Sequence, residues 1–309
     1  MSILLNPWTN PDEWLAEFEG LLPDETIELW PECADRDGVE MLVAWQMRRT
    51  DLATFTNLHT ILSMGAGTEQ WQKEGSPDVR IVRLADPAMS DEMAAYALHW
   101  VIHLQRSFDT RWGAEHLDDW HGASGTFPTP AEHRVGILGF GTIGRRIGRA
   151  FTDLGYPISA WSRRGTDETG VTSHAGLDEL EAFLGSCRAV INVLPNTAAT
   201  RGLLTADRFA QFADGAVFVN IGRGSVVERE ADMVSAIDQG PLSAVVLDVT
   251  SPEPPAPDSP LLGHPSVHLT PHIAGSTQMA SAAKLIAANI ERIRRGEDPY
   301  PVVDRESGY

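Results

Sequence analysis

Two cysteines in 309 residues, Cys33 and Cys187, are too few for a disulfide framework, and they form no Cys-x-x-Cys pair of the zinc-ribbon kind. No apolar run approaches the ~18 residues of a membrane span, and no basic region precedes the short apolar stretch Ile3-Leu4-Leu5. Basic residues are scarce as well. Against 43 acidic residues stand 24 Lys and Arg, a formal charge of −19. So acidic a chain repels phosphates on average, which excludes nucleic acid and anionic membranes as bulk electrostatic partners. What remains is 42% hydrophobic and 22% charged, enough apolar material for a packed core rather than a disordered polyanion. The length fits one large or two medium domains. These features predict a soluble, cytoplasmic, globular protein with no metal site.

Strand-like segments recur at Ile3–Leu5, Thr26–Trp30, Val39–Trp45, Leu58–Met64 and Val79–Leu84, with helical material between them. Asn10 looks like an N-cap with Pro11 at the first helical position, ahead of Trp14, Leu15 and Phe18. This half predicts a small open α/β sheet. A helical pattern begins after Ser90 and runs toward Trp112, with Asp91 and Glu92 expected in its first turn, before a Gly, Pro and Ser-rich loop near 121–130. Six apolar strand runs then begin near Arg134, Ile158, Ala189, Ala216, Ser243 and Val267. Amphipathic helices fill every gap except Pro252–Pro265, which is a Pro-rich loop. This rhythm predicts a doubly wound parallel sheet. A last helix, Thr277–Arg295, stops at Gly296.

Gly139-Phe140-Gly141-Thr142-Ile143-Gly144 follows the apolar run Val135–Leu138 directly, and Ile147, Ala150 and Phe151 continue at helical spacing. The first glycine permits a tight turn, the second lets backbone approach a pyrophosphate, and the third lets helix pack on strand. A lone GxGxxG is often a plain glycine-rich turn, but here strand, turn, helix and second strand stand in register, the context of a dinucleotide site. About twenty residues on, where an acid would bind the adenosine ribose, the chain reads Ser162-Arg163-Arg164. Such a group can receive a 2′-phosphate, so NADP(H) is favoured over NAD(H); the alternative is a solvated loop pair.

Ligands bind open parallel sheets at the carboxyl ends of strands. Those ends carry Leu194-Pro195-Asn196, Ile221-Gly222-Arg223, Asp248 with Glu253 beyond it, and Thr270-Pro271-His272. A protonated His272 could give the balancing proton to a carbonyl oxygen that gains charge on hydride addition. Glu253 beside the imidazole would favour its charged form and hold its orientation. Arg223, forked and permanently charged, suits a substrate carboxylate. Taken singly, each residue could be merely structural.

Together these motifs resemble the D-isomer-specific 2-hydroxyacid dehydrogenases over nearly the whole chain. The resemblance implies a doubly wound parallel Rossmann-type sheet, residues 99–276, inserted into a smaller flavodoxin-like α/β domain of residues 1–98 and 277–309. It implies Arg223, Glu253 and His272 as the catalytic triad. Thr142 and Ile143 would meet the pyrophosphate, Pro195, Asp248 and Gly275 would line the nicotinamide end, and a homodimer would be expected. Trp45, Ser63-Met64-Gly65-Ala66-Gly67, Trp161-Ser162-Arg163 and the tail Val303-Asp304-Arg305 to Gly308-Tyr309 are most similar to the glyoxylate/hydroxypyruvate reductase A branch. That branch implies a substrate carboxylate on the N–H groups of Ala66 and Gly67. Two positions depart from the family pattern: Gly222, where Ala or Ser is usual, suggests extra backbone freedom, and Thr250 replaces a bulky residue.

The expectation is an NADPH-dependent reductase of small 2-oxo acids of the glyoxylate or hydroxypyruvate type, yielding D-2-hydroxy acids. A bulkier 2-oxo acid, or a non-catalytic dinucleotide-binding regulator, would keep the same fold. Charge distribution supports an anionic ligand. Residues 1–98 carry 18 acids and 6 bases, whereas 134–164 carry six arginines against Asp153 alone. Arg145, Arg146 and Arg149 in that island would also suit a solvated helix face.

Overall fold

A computed structural model describes residues 2–72, 78–108, 127–305 and 308. The chain divides into two units, Met1–Met89 with Thr277–Tyr309, and Ser90–Ser276. The second is thus an insertion in the first. The boundary expected at 98/99 falls inside a helix, Pro87–Gln105.

In the first unit the strands are β1 (Ser2–Asn6), β2 (Ile27–Leu29), β3 (Val39–Ala44), β4 (Thr60–Ser63) and β5 (Arg80–Val82). All pair in parallel in the order β2-β1-β3-β4-β5, the flavodoxin-like winding. Helices α1 (Pro11–Leu21) and α2 (Arg49–Leu52) join these strands. Asn10 precedes α1 in a left-handed conformation (φ 51°) and makes no side-chain cap; its amide donates to Glu13 instead. The tail returns to this unit, where Val303 is buried and its N–H donates to the Ile81 carbonyl at 2.8 Å.

Helix α3 (Pro87–Gln105) starts three residues before the expected Ser90. Asp86 accepts from the Ala88 N–H at 2.9 Å and so caps the helix start. Asp91 and Glu92 therefore lie beyond the first turn, which holds no acid. The predicted continuation toward Trp112 lies outside the described residues, as does most of the loop near 121–130.

The second unit holds β6 (Val135–Leu138), α4 (Thr142–Asp153), β7 (Ile158–Ser162), β8 (Val171–Ala175), α5 (Leu180–Ser186) and β9 (Ala189–Asn192). After these come α6 (Ala206–Phe209), β10 (Ala216–Asn220), α7 (Glu230–Asp238), β11 (Leu242–Leu247) and β12 (Val267–Leu269). The parallel sheet runs β12-β11-β10-β9-β6-β7-β8, so the winding reverses between β6 and β9. It has seven strands, one more than the six expected. The extra one, β8, is an edge strand of sequence Val-Thr-Ser-His-Ala with no fully buried residue, so it lacks the apolar run that marks its neighbours. By contrast β6, β9 and β10 are buried throughout. Phe183, Phe209, Phe212 and Phe218 fill the core beside them. The final helix, α8 (Met279–Arg294), belongs to the first unit and buries Ala282, Ala283, Ile286, Ala287 and Ile290.

Candidate active site

The glycine turn divides its labour as the spacing predicts. Gly139 has φ +103°, a conformation closed to most L side chains, and its N–H donates to the Trp161 carbonyl at 2.9 Å. A Cβ on Gly144 would stand 2.1 Å from the Gly139 carbonyl oxygen, so this residue lets helix meet strand. A Cβ on Gly141 would meet nothing within 4 Å. Gly141 and Thr142 are exposed at the start of the twelve-residue α4, where free N–H groups and the helix dipole favour an anion. The open space at Gly141, between two tightly packed glycines, fits a dinucleotide pyrophosphate.

Past the end of β7, Arg163 and Arg164 are exposed, while the Ser162 hydroxyl donates to the Gly165 carbonyl at 2.9 Å. The arginines of α4 are committed elsewhere. Arg145 and Arg149 both pair with Glu168, and Arg146 pairs with Asp91. Of the six arginines in the basic island, Arg134 donates to Thr172 at 3.1 Å, three are held in ion pairs on the helix, and Arg163 and Arg164 are exposed on the loop.

Two buried asparagines that were not read from the sequence as site residues organise the next two strand ends. Asn192 Nδ2 donates to Asn220 Oδ1 at 2.8 Å. Asn192 Oδ1 accepts from the Leu194 N–H at 3.2 Å, and Asn220 Oδ1 from the Gly222 N–H at 3.2 Å. Asn220 Nδ2 reaches the Arg223 carbonyl at 3.1 Å. This side-chain pair locks the turns that carry Leu194-Pro195 and Ile221-Gly222-Arg223. Gly222 does not gain the freedom expected of it. A Cβ there would sit 2.9 Å from both Asn192 Nδ2 and the Leu194 carbonyl oxygen, so the residue is closely packed.

Asp248 is buried after β11, and its carboxylate accepts from Thr270 Oγ1 (2.6 Å), Ile273 N–H (2.8 Å) and Ala274 N–H (2.9 Å). Tyr96 Oη lies 2.6 Å from Thr270 Oγ1, and burial holds its phenol above the ordinary value. Because Thr270 gives its proton to Asp248, Tyr96 donates to Thr270. This chain fixes the backbone on either side of His272, which has φ 55° and whose N–H reaches the Asp248 carbonyl at 3.0 Å. A non-glycine residue held left-handed is strained and stays so only where neighbours over-determine it. Gly275 follows in the same turn, where Glu92 accepts from the Ser276 N–H at 2.8 Å.

The loop after β11 brings Glu253 to His272, with Oε1 2.7 Å from Nδ1. Thr250, the second departure from the expected pattern, donates to the Pro252 carbonyl at 2.7 Å and shapes the start of this loop. A carboxylate only accepts, so Nδ1 carries the proton and Nε2 is left for other chemistry. Both side chains remain accessible, 48% exposed for His272 and 42% for Glu253. Arg223 follows β10, the neighbour of β11, so Arg223, Glu253 and His272 stand at the carboxyl ends of three adjacent strands.

In the first unit, β4 ends at Ser63 and Met64 to Gly67 follow it. The Trp45 ring packs against Gly65, where a Cβ would lie 2.8 Å away. Among the described residues the N–H groups of Ala66 and Gly67 donate to nothing, so this turn presents two free donors. No group of His, Cys, Asp and Glu among the described residues could hold a metal, and no described helix is long and apolar enough to cross a membrane.

The family model for the NAD binding domain of D-isomer specific 2-hydroxyacid dehydrogenases matches residues 98–274. A D-isomer specific 2-hydroxyacid dehydrogenase from Xanthobacter autotrophicus Py2, solved with NADPH and MES, is 32% identical with a TM-score of 0.93, over 100% of this chain and 99% of that one. An NADPH-dependent glyoxylate/hydroxypyruvate reductase from Sinorhizobium meliloti, solved with NADP and sulfate, is 28% identical with a TM-score of 0.88 over all of both chains. A family protein from Klebsiella pneumoniae 342 is 30% identical with a TM-score of 0.82, over 99% of this chain and 98% of that one. This chain belongs to the D-isomer specific 2-hydroxyacid dehydrogenases, oxidoreductases that act on CH–OH groups with a nicotinamide dinucleotide.

Proposed function

We propose that the protein is an NADPH-dependent reductase of small 2-oxo acids, of the glyoxylate or hydroxypyruvate type, and that His272 is its general acid. The 2.7 Å pairing of His272 with Glu253 at the carboxyl edge of the sheet carries this reading. When bound, the nicotinamide supplies hydride to the carbonyl carbon of the 2-oxo acid. His272 Nε2 gives the proton that the carbonyl oxygen needs as negative charge develops on it. Glu253 holds the Nδ1–H tautomer and balances the imidazolium. Arg223 binds the substrate carboxylate and polarises the adjacent carbonyl, and the N–H groups of Ala66 and Gly67, beside Trp45, receive carboxylate oxygens. Leu194, Pro195, Ile221, Gly222, Asp248 and Gly275 shape the nicotinamide end. The second unit is the dinucleotide-binding domain and the first the substrate-binding domain.

Arg163 and Arg164, with Ser162 beside them, receive the 2′-phosphate and so favour NADP(H) over NAD(H). Related structures solved with NADPH and NADP support that preference. Arg163→Ala is expected to raise the apparent KM for NADPH with little effect on that for NADH; equal wild-type affinities for the two would remove the preference. We further propose a homodimer in the cytoplasm, consistent with two free cysteines, and light scattering of the purified protein tests the dimer. The function itself is tested by following NADPH oxidation across a panel of 2-oxo acids. Turnover of glyoxylate or hydroxypyruvate is expected, and no oxidation with any member would overturn the proposal.

A further inference from the structure

The first unit carries a cleft of about 510 Å³. It lies where β1, β2 and β3 end, lined by residues that directly follow all three strands. In a sheet ordered β2-β1-β3-β4-β5 the winding reverses between β1 and β3, where ligand crevices form in open α/β sheets. The volume falls within the ~300–1,000 Å³ of small-molecule sites.

Three tryptophans, Trp8, Trp30 and Trp45, are among the residues that line it. Trp8 is 70% exposed, an unusual solvent presentation for the largest apolar side chain. The other two are held in place. Trp30 meets Phe55 edge-on at 6.0 Å and lies under the Arg36 guanidinium at 5.3 Å. Trp45 packs on Gly65, and its carbonyl accepts from Gln70 Nε2 at 2.8 Å. Asn6 Nδ2 ties the ends of β1 and β3 by donating to the Gln46 carbonyl at 2.7 Å. Rigid aromatic walls of this kind bind planar rings at little ordering cost.

The charge of the lining is selective. Arg48 is neutralised by a two-point pairing with Asp51, at 2.8 and 3.3 Å. The side chain of Arg49, also in the lining, makes no hydrogen bond or ion pair among the described residues. It is an uncommitted cation within a segment, residues 1–98, where acids outnumber bases 18 to 6. The surrounding field disfavours a polyanion, while a single guanidinium fork matches one carboxylate.

We propose that this cleft binds an aromatic carboxylate, its ring among the indoles of Trp8, Trp30 and Trp45 and its carboxylate on Arg49. Binding there requires neither the dinucleotide nor the reduction; Trp45 is the one residue shared with the reaction proposed above, and the variants that test the cleft are at Arg49 and Trp8, which that reaction does not use.

The test is titration calorimetry of the full-length protein with phenylacetate, which has no 2-oxo group to reduce, alongside acetate and benzyl alcohol. Phenylacetate is expected to bind saturably at one site per chain, and at least roughly tenfold more tightly than acetate or benzyl alcohol. Arg49→Ala and Trp8→Ala are each expected to weaken it by about five- to tenfold. Both variants should keep the wild-type melting temperature, since both side chains are exposed. No saturable heat with phenylacetate would overturn the proposal. So would wild-type affinity in both variants, or equal binding of acetate.

Discussion

The glycine turn yields a paired prediction, because two of its glycines lack a side chain for opposite reasons. Alanine at Gly144 would place Cβ 2.1 Å from the Gly139 carbonyl oxygen, which is backbone and cannot rotate away. A carbon–oxygen contact needs roughly 3.3 Å, so the turn would have to open by about 1 Å. Forcing a methyl group into a packed site costs about 3 kcal/mol when the obstacle is rigid. In a unit of this size that is a fall in melting temperature of roughly 6–12 °C. Alanine at Gly141 meets nothing within 4 Å, and its φ of −86° is open to any residue. The fold then loses only the modest preference of an N-cap for Gly over Ala, about 0.5–1 kcal/mol. The added methyl group would instead occupy the space proposed for the pyrophosphate. Thermal melts and NADPH fluorescence titrations on both variants separate the two effects. Gly144→Ala should melt early, and Gly141→Ala should melt near wild type with NADPH affinity at least about tenfold lower. A wild-type melt for Gly144→Ala, or wild-type NADPH affinity for Gly141→Ala, is incompatible with these roles for the two glycines.

Three further outcomes are expected. His133 is 8% exposed and its Nε2 has no partner; burial, with Arg188 nearby, pushes its pKa down from 6.5 to about 4. The unfolded chain therefore binds a proton between pH 6.5 and 4 that the folded protein refuses. Stability should be level above that window and should fall by about 3 kcal/mol as pH drops through it, a loss that urea melts of His133→Gln should not show. Asn192→Ala strands the buried Leu194 N–H and removes one of the two donors to Asn220 Oδ1, so urea denaturation should show a loss of about 2–4 kcal/mol. Arg294 pairs with Glu25 and Glu40 at 2.7 and 2.6 Å and ties α8 to the rest of its unit, so Arg294→Met should cost about 1–3 kcal/mol in the same assay, less at high salt.

The parallel strands were legible because a strand buried on both faces must be a continuous apolar run, as in Ala189-Val190-Ile191 or Ala216-Val217-Phe218-Val219. β8 was not, because an edge strand needs no such run and its Thr, Ser and His look like loop. The start of α3 was displaced because Ser90-Asp91-Glu92 imitates a helix start, while the cap in use is Asp86. The glycine turn and the residues after β10, β11 and β12 could be read from spacing, since each sits a fixed step beyond an apolar run. Asn192 and Asn220 carried no such signal. Twenty-eight residues separate them, and their pairing follows only once β9 and β10 lie side by side in register. The tryptophan cleft was hidden for the same reason, since Trp8, Trp30 and Trp45 come together only through the order of three strands.

Proton donation by His272 is the step on which the proposed reaction turns. Single-turnover oxidation of bound NADPH by glyoxylate, in wild type and His272→Asn, tests it most directly. Unchanged NADPH affinity and a rate lower by about 10²–10⁴-fold in the variant are expected. Equal rates in the two proteins would contradict it.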